Sequence, residues 1–198
     1  MNILVCIKQV PDTTEIKIDP VKHTLIREGV PSIVNPFDAC ALEMAVRLKE
    51  KEGGKVIVIS MGPAQAKNAL KECLAVGADQ AFLVTDRAFG GSDTLATSYI
   101  LSRAIAAVEA KTGEKFDLIF CGKQAIDGDT AQVGPEIAEH MDLPHVTLAT
   151  AVEMADGRYG YRRMKRTEWN VSDRVISDKM TAGKNPDIAR EHDAMGEL

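Results

Sequence analysis

The run FDLIFCGKQAIDGDTAQVGP, residues 116–135, is an apolar segment that breaks into a glycine-bearing loop and re-enters a helical pattern. Phe116 to Cys121 is short, apolar and bounded by turn residues, the mark of a strand buried on both faces. Beyond the loop, Val133, Ile137, Ala138 and Met141 recur at helical spacing. Strand, loop and helix in that order make one half of a βαβ unit, and the rest of the chain repeats the succession.

Upstream, Asn2 to Lys8 carries Ile3, Leu4, Val5 and Ile7 in a run that Pro11 and Asp12 break. Glu15 to Asp19 and Thr24 to Arg27 alternate weakly and suggest a hairpin excursion. Pro36 suits the first position of a helix bearing Phe37, Ala41, Met44, Ala45 and Leu48, which Gly53 and Gly54 stop. Lys55 to Met61 is a second core strand, followed by a helix through Ala66, Ala69, Leu70, Cys73 and Leu74 that ends at Gly77. Gln80 to Thr85 is a third strand. After the Gly90-Gly91 loop, Ser92 or Asp93 caps a long helix through Leu95, Tyr99, Ile100 and Ile105. Strands that alternate with helices predict a three-layer α/β/α fold with a mostly parallel sheet. Such sheets bind ligands beyond the carboxyl ends of their strands. Four segments fall there: the turn after Lys8, the segment around Asn35, the turn at Met61-Gly62, and the loop after Cys121.

Composition narrows the function. The 198 residues suffice for one sizeable core, with 45% hydrophobic and 27% charged residues. A formal net charge of -5 argues against nucleic acid as a partner. No apolar run approaches the roughly 20 residues of a membrane span, and no secretory signal opens the chain; both point to a cytoplasmic protein. The four cysteines, Cys6, Cys40, Cys73 and Cys121, are far apart in sequence and read as small buried hydrophobes. The scattered histidines suggest no metal site or triad.

The 122–134 loop carries the chemistry. Gly122 and Gly128 let backbone approach a ligand closely. With the helix beginning at Asp129 or Thr130, open N–H groups and the positive end of its dipole favour a phosphate. Thr130 and Gln132 add side-chain donors. The spacing is neither a Walker loop nor a G-x-G-x-x-G fingerprint. Asp127 and Asp129 read as caps that accept backbone N–H groups; a metal or acid–base role would need a third group that the loop lacks. A strand-to-helix turn without a ligand remains open on this loop alone.

Five ordered stretches resemble the beta subunit of electron-transfer flavoproteins: Val5 to Thr13; Asn35 to Asp38 with Ala45 to Glu50; Ser60 to Gln65; Ala75 to Asp79; and Gly122 to Pro135. The resemblance runs from residue 1 to about residue 165 and implies a Rossmann-like, HUP-type adenine-nucleotide fold that pairs with an FAD-bearing alpha subunit. By position it implies that Cys6, Asn35, Pro36, Phe37 and Asp38 line an adenosine pocket with Met61 near it. The phosphates would be held by Gly122, Lys123, Gln124, Ala125, Ile126, Asp127, Gly128, Asp129, Thr130, Ala131, Gln132 and Val133. The Val10 to Glu15 stretch is similar to members that bind a second FAD and bifurcate electrons, so FAD is favoured over AMP. That type draws electrons from NADH and passes them to ferredoxin or flavodoxin and to an acyl-CoA dehydrogenase-like partner. The chain is then a carrier subunit without catalytic residues of its own. A stand-alone, stress-type adenine-nucleotide protein and an ATP-using enzyme are the competing readings.

Residues 166–198 form an atypical tail in this reading. The family continues for several dozen residues with an arm that meets the alpha subunit. A shifted codon reading of Arg166 to Val171 would encode Glu-Asp-Gly-Met-Glu-Cys, which suggests a frameshift that resequencing of the gene tests. Arg162 to Arg166 reads as a solvated basic face or a contact for an acidic partner. Trp169 reads as an interface anchor.

Overall fold

The computed structural model describes residues 1–12, 31–155, 157–164 and 171–176. The elements are β1 (Asn2–Cys6), β2 (Gln9–Pro11), β3 (Ser32–Val34), α1 (Pro36–Glu52), β4 (Lys55–Met61), α2 (Lys67–Val76), β5 (Gln80–Val84), α3 (Thr94–Thr112), β6 (Leu118–Cys121), α4 (Val133–His140), β7 (Ala149–Ala155), β8 (Arg158–Met164) and β9 (Val171–Ile176). The strands β5-β4-β1-β6 lie in that order, all parallel.

Alternation along each strand builds the two faces. Ile3, Val5, Val56 and Val58 pack with Leu42, Ala45, Val46 and Leu48 of α1 and Leu70 and Cys73 of α2. Leu4, Cys6, Ile57 and Ile59 point the other way, onto Leu101, Ile105 and Val108 of α3 and Ile137 of α4. A strand residue that faces helices on either side finds no water, which is why these runs are apolar throughout rather than alternating. The predicted three-layer α/β/α fold is what the chain adopts.

The punctuation agrees. Pro36 opens α1, Gly53 (φ 76°) and Gly77 (φ 135°) close α1 and α2, and Asp93 caps α3 by accepting from Ala96 N at 2.8 Å. A Cβ on Gly77 would lie 3.0 Å from a Val46 methyl, so a side chain there would be both strained and crowded.

Two features differ from the sequence reading. Pro11 does not end the N-terminal strand region but lies in β2, which pairs antiparallel with β3. The hairpin expected between residues 15 and 27 lies outside the described residues. Cys40, expected on the apolar face of α1, is exposed. Beyond α4, β7, β8 and β9 form an antiparallel sheet whose Tyr159, Val152 and Tyr161 pack on the α1 side of the core. The boundary drawn at residue 165 falls between β8 and β9 of this one sheet. Trp169 and residues 177–198 lie outside the described residues, as do Lys165 and Arg166 of the basic run. No helix among the described residues is long and apolar enough to cross a membrane.

Candidate nucleotide crevice

The chain leaves β1 toward β4 on one side, while β6 pairs on the other, so β1 and β6 flank the point where strand order reverses. Loops diverge there in opposite directions and open a crevice at the carboxyl ends of the strands. The crevice encloses about 1140 Å³. That exceeds the roughly 300–1,000 Å³ of ordinary small-ligand pockets.

Of the expected site residues, Cys6, Asp38, Met61, Gly122, Lys123, Gln124, Ala125, Asp127, Gly128, Thr130, Ala131, Gln132 and Val133 line this crevice. Five do not. Asn35 is fully buried behind the loop, Pro36 is exposed at the start of α1, and Ile126 is 36% exposed. Phe37 turns to the far side, where it lies 5.8 Å from Lys123 Nζ across its ring. Asp129 is tied within the loop, accepting from Gln124 Nε2.

The loop is held from below. Asn35 precedes α1 but makes no side-chain cap bond to it. Its amide instead reaches across the site: Nδ2 donates to Gln124 O at 2.8 Å, and Oδ1 accepts from Ile126 N at 3.2 Å. Asp38, one turn on, accepts from Lys8 N at 2.7 Å and from the Gly122 backbone N–H. The ends of β1 and β6 are thereby both fastened to the first turn of α1.

Burial pushes the Asp38 carboxyl up to about 6, against the lowering effects of the Lys8 N–H, the Asn35 amide, the Gly122 N–H and the Lys8 charge. Because the folded value lies above the ordinary 3.8, the folded chain binds more protons between these two values. Stability from this group is full below about 3.8 and is lost as pH rises through about 6. A shift of this size corresponds to about 3 kcal/mol. Urea midpoints between pH 3.5 and 7 should therefore decline for the wild type more than for Asp38→Asn, and parallel profiles would remove Asp38 as the cause.

The helix after the loop begins at Val133, not at Asp129 or Thr130. Asp129 (φ 53°) and Ala131 (φ 56°) adopt left-handed backbone that cannot continue a helix. For Ala131 this conformation carries strain of the kind that clusters at ligand sites. Gln132 makes no side-chain cap bond to α4, so first-turn N–H groups of the helix stay open toward the crevice.

The acids do not cap the loop backbone as expected. Asp127 Oδ1 pairs with Lys8 Nζ at 2.7 Å, and Asp129 takes the Gln124 amide. Every carboxylate that lines the crevice is engaged inside the protein: Asp38 and Asp127 as above, Asp86 by Ala88 N and Asp93 by Ala96 N. Lys8, Arg87 and Lys123 line the same walls. The arrangement suits an anion. Among the described residues no cluster of three metal-ligating side chains occurs.

One wall was not anticipated. The turn from β5 into α3 contributes Arg87, Gly91, Ser92, Asp93, Thr94 and Thr97. Topology alone contains the signal, since this turn also follows the carboxyl end of a core strand.

A second cavity, about 390 Å³ and largely apolar, lies between α1, β6 and the β7–β8 hairpin, lined by Met44, Phe116, Val146 and Tyr159 among others. Gly122, Lys123, Ala131 and Gly134 border both cavities.

The chain is similar in sequence to known proteins. Residues 22–182 match the electron transfer flavoprotein domain, a span that runs past residue 165. The electron transfer flavoprotein subunit beta of Thermoanaerobacterium thermosaccharolyticum is 54% identical over 190 residues, 96% of this chain and 71% of that protein. Its counterpart in Clostridium acetobutylicum is 55% identical over 190 residues, again 96% and 71%. The caffeyl-CoA reductase-Etf complex subunit CarD of Acetobacterium woodii is 57% identical over 172 residues, 86% of this chain and 64% of that protein.

Proposed function

Because the chain belongs to the electron transfer flavoprotein family as a relative of its beta subunits, we propose that its crevice holds FAD, with AMP as the alternative, within a two-subunit electron carrier. The observation that carries this reading is the strained, acid-neutralised loop of residues 122–132, open to the crevice beside the uncapped start of α4. Open N–H groups at a helix start favour phosphate, and Gly122 lets the backbone lie close to it. Thr130 adds a hydroxyl donor on the same wall. The adenosine end lies toward Cys6, Asp38 and Met61 at the ends of β1, α1 and β4.

Size favours the dinucleotide. The crevice continues past the phosphate loop to the turn between β5 and α3, where Arg87, Ser92, Thr94 and Thr97 offer further polar contacts. An adenylate alone would leave that wall unused. When bound, FAD supplies the redox chemistry, and the protein supplies its position and electrostatics. The chain pairs with an alpha subunit that carries a further flavin. In the bifurcating form of this scheme the electrons come from NADH and leave toward ferredoxin or flavodoxin and toward an acyl-CoA dehydrogenase-like protein. CarD, a relative named as a subunit of a reductase-Etf complex, supports a partner of the latter kind. The carrier works in the cytoplasm.

Acid release of the bound nucleotide from the full chain purified with its alpha-type partner tests the reading. Chromatography of the released material should give two FAD per pair of subunits. One FAD with one AMP per pair overturns the dinucleotide and bifurcation steps and leaves a simple carrier. Colourless protein without nucleotide overturns the whole.

A further inference from the structure

We propose that the second cavity is a strand-acceptor site, in which the open edge of β6 takes the apolar, free C-terminal end of a partner chain as a further parallel strand. The site stands on sheet topology and charge and does not depend on what fills the crevice.

β6 ends the order β5-β4-β1-β6, and among the described residues it pairs with β1 alone. Its other edge therefore presents backbone N–H and C=O groups outside any ladder there. That edge faces the cavity. Every residue from Phe116 to Cys121 borders it. Successive side chains of a strand point to opposite faces, so a cavity on one face would meet alternate residues only. Contact with all six places it along the edge. α1 closes it on one face of the sheet through Ala41 and Met44, and α4 closes it on the other through Ile137 and Ala138. Residues 143–149 form the far bank. The space between is where a fifth strand of a three-layer sheet would lie.

Such a position selects its occupant. A strand covered by helices on both faces is apolar at successive residues rather than at alternate ones. The walls match that demand, and Leu148 marks the opening: it is 43% exposed and held in left-handed backbone at φ 57°. Residues 13–30 and 177–198 contain no run of three apolar residues, so neither this chain nor a second copy of it supplies the strand from those segments. The strand comes from a different protein.

Charge sets the direction. Asp117 precedes β6 and Lys123 follows it, and both border the cavity. Asp117 is committed, its Oδ2 accepting from Asn2 N at 2.7 Å. Lys123 is exposed, rests over the Phe37 ring and has no carboxylate partner among the described residues. A parallel strand brings its carboxyl end to Lys123, where a free terminal carboxylate completes an ion pair. An antiparallel strand would set that carboxylate beside Asp117, like charge against like. Backbone hydrogen bonds to β6 then supply affinity, while the apolar walls and Lys123 supply selectivity.

The test titrates the full chain with a fluorescein-labelled peptide, Lys-Ser-Gly-Val-Ile-Val-Ile-Val, read by anisotropy. The free-acid form should bind saturably and slow amide exchange in β6 and in residues 143–149. Its C-terminal amide should bind wild type at least tenfold more weakly, and Lys123→Gln should bind acid and amide alike. Ala41→Phe, which fills the cavity from α1, should lose the peptide. Several results overturn the site: no saturation by the acid, an amide that matches it on wild type, an acid preference that survives in Lys123→Gln, or protection outside those two segments. Should Ala41→Phe fail to fold, peptides N-methylated at alternate residues decide on wild type. At least tenfold loss in one of the two methylation phases upholds the ladder with β6, and loss in neither overturns it.

Discussion

Gly122→Ala is expected to abolish the crevice rather than merely reshape it. A Cβ at this position runs into Asp38 Oδ1 and falls 2.7 Å from both Asp38 N and Phe37 C. Two of the three atoms are backbone, and the third belongs to the Asp38 carboxylate, which is itself fixed by the Lys8 and Gly122 N–H groups. The first turn of α1 cannot retreat, because Asp38 N and Ala39 N both bond Asn35 O at 2.9 Å and Asn35 is fully buried. Either β6 shifts away from β1 or the loop detaches. Overpacking of a close-packed site costs about 1–3 kcal/mol and more where backbone must move, so a loss of about 3 kcal/mol or more is expected. For a chain of this size that lowers Tm by roughly 6–12 °C. FAD or AMP affinity should fall at least a hundredfold. Gly128→Ala is the control: a Cβ there meets nothing within 4 Å, and the change should be nearly neutral in stability. Thermal melts and nucleotide titrations of the two variants check the pair. Equal behaviour would show that the Gly122 contact with α1 does not govern the site.

How far such a site can be read from sequence depends on the range of the interaction. Pro36, Gly53, Gly77 and Asp93 announce helix ends through local backbone chemistry, and the structure has them there. The crevice at the ends of β1 and β6 follows from strand–helix alternation, a pattern of the whole chain. The start of α4 was misplaced by about three residues because nothing local marks Ala131 as left-handed; alanine ordinarily favours a helix, and the tertiary loop overrides it. Asp127 and Asp129 were read as backbone caps because short-range capping is the commonest fate of loop acids. Their partners are instead Lys8, a strand end away, and a glutamine of the same loop. The adjacency of Cys6 and Cys121 gave no sequence signal, since only the parallel register brings residues so distant side by side. The wall between Arg87 and Thr97 was legible and overlooked: the rule that located the other four segments applies equally to the end of β5.

Asn35→Ala should loosen the 122–132 loop while leaving the sheet intact. The side chain spans 89 residues of sequence to Gln124 and 91 to Ile126, and it is the buried bracket between α1 and the loop. Truncation leaves the Gln124 carbonyl and the Ile126 N–H without their partner in a partly buried place and opens a small void. Each unsatisfied group costs about 1–3 kcal/mol, so a total of about 2–4 kcal/mol is expected. Part of the loss appears as local opening rather than global unfolding, because the loop has little apolar packing of its own: residues 126–132 are exposed. Amide exchange at Ile126 should accelerate at least tenfold while exchange in β1 and β4 changes less, and nucleotide affinity should fall ten- to a hundredfold. Asn35→Asp separates hydrogen bonding from charge. It keeps an acceptor for Ile126 N–H but loses the donor to Gln124 O and sets a second carboxylate against Asp38, whose own carboxyl already sits up at about 6. Two neighbouring carboxylates resist joint ionisation, so the damage in Asn35→Asp should deepen as pH rises from about 4 to 7, and more steeply than in Asn35→Ala, which loses only the amide that favours the charged Asp38. Unaltered exchange at Ile126 in Asn35→Ala would mean that the loop holds its shape without the bracket and that Asn35 serves packing alone.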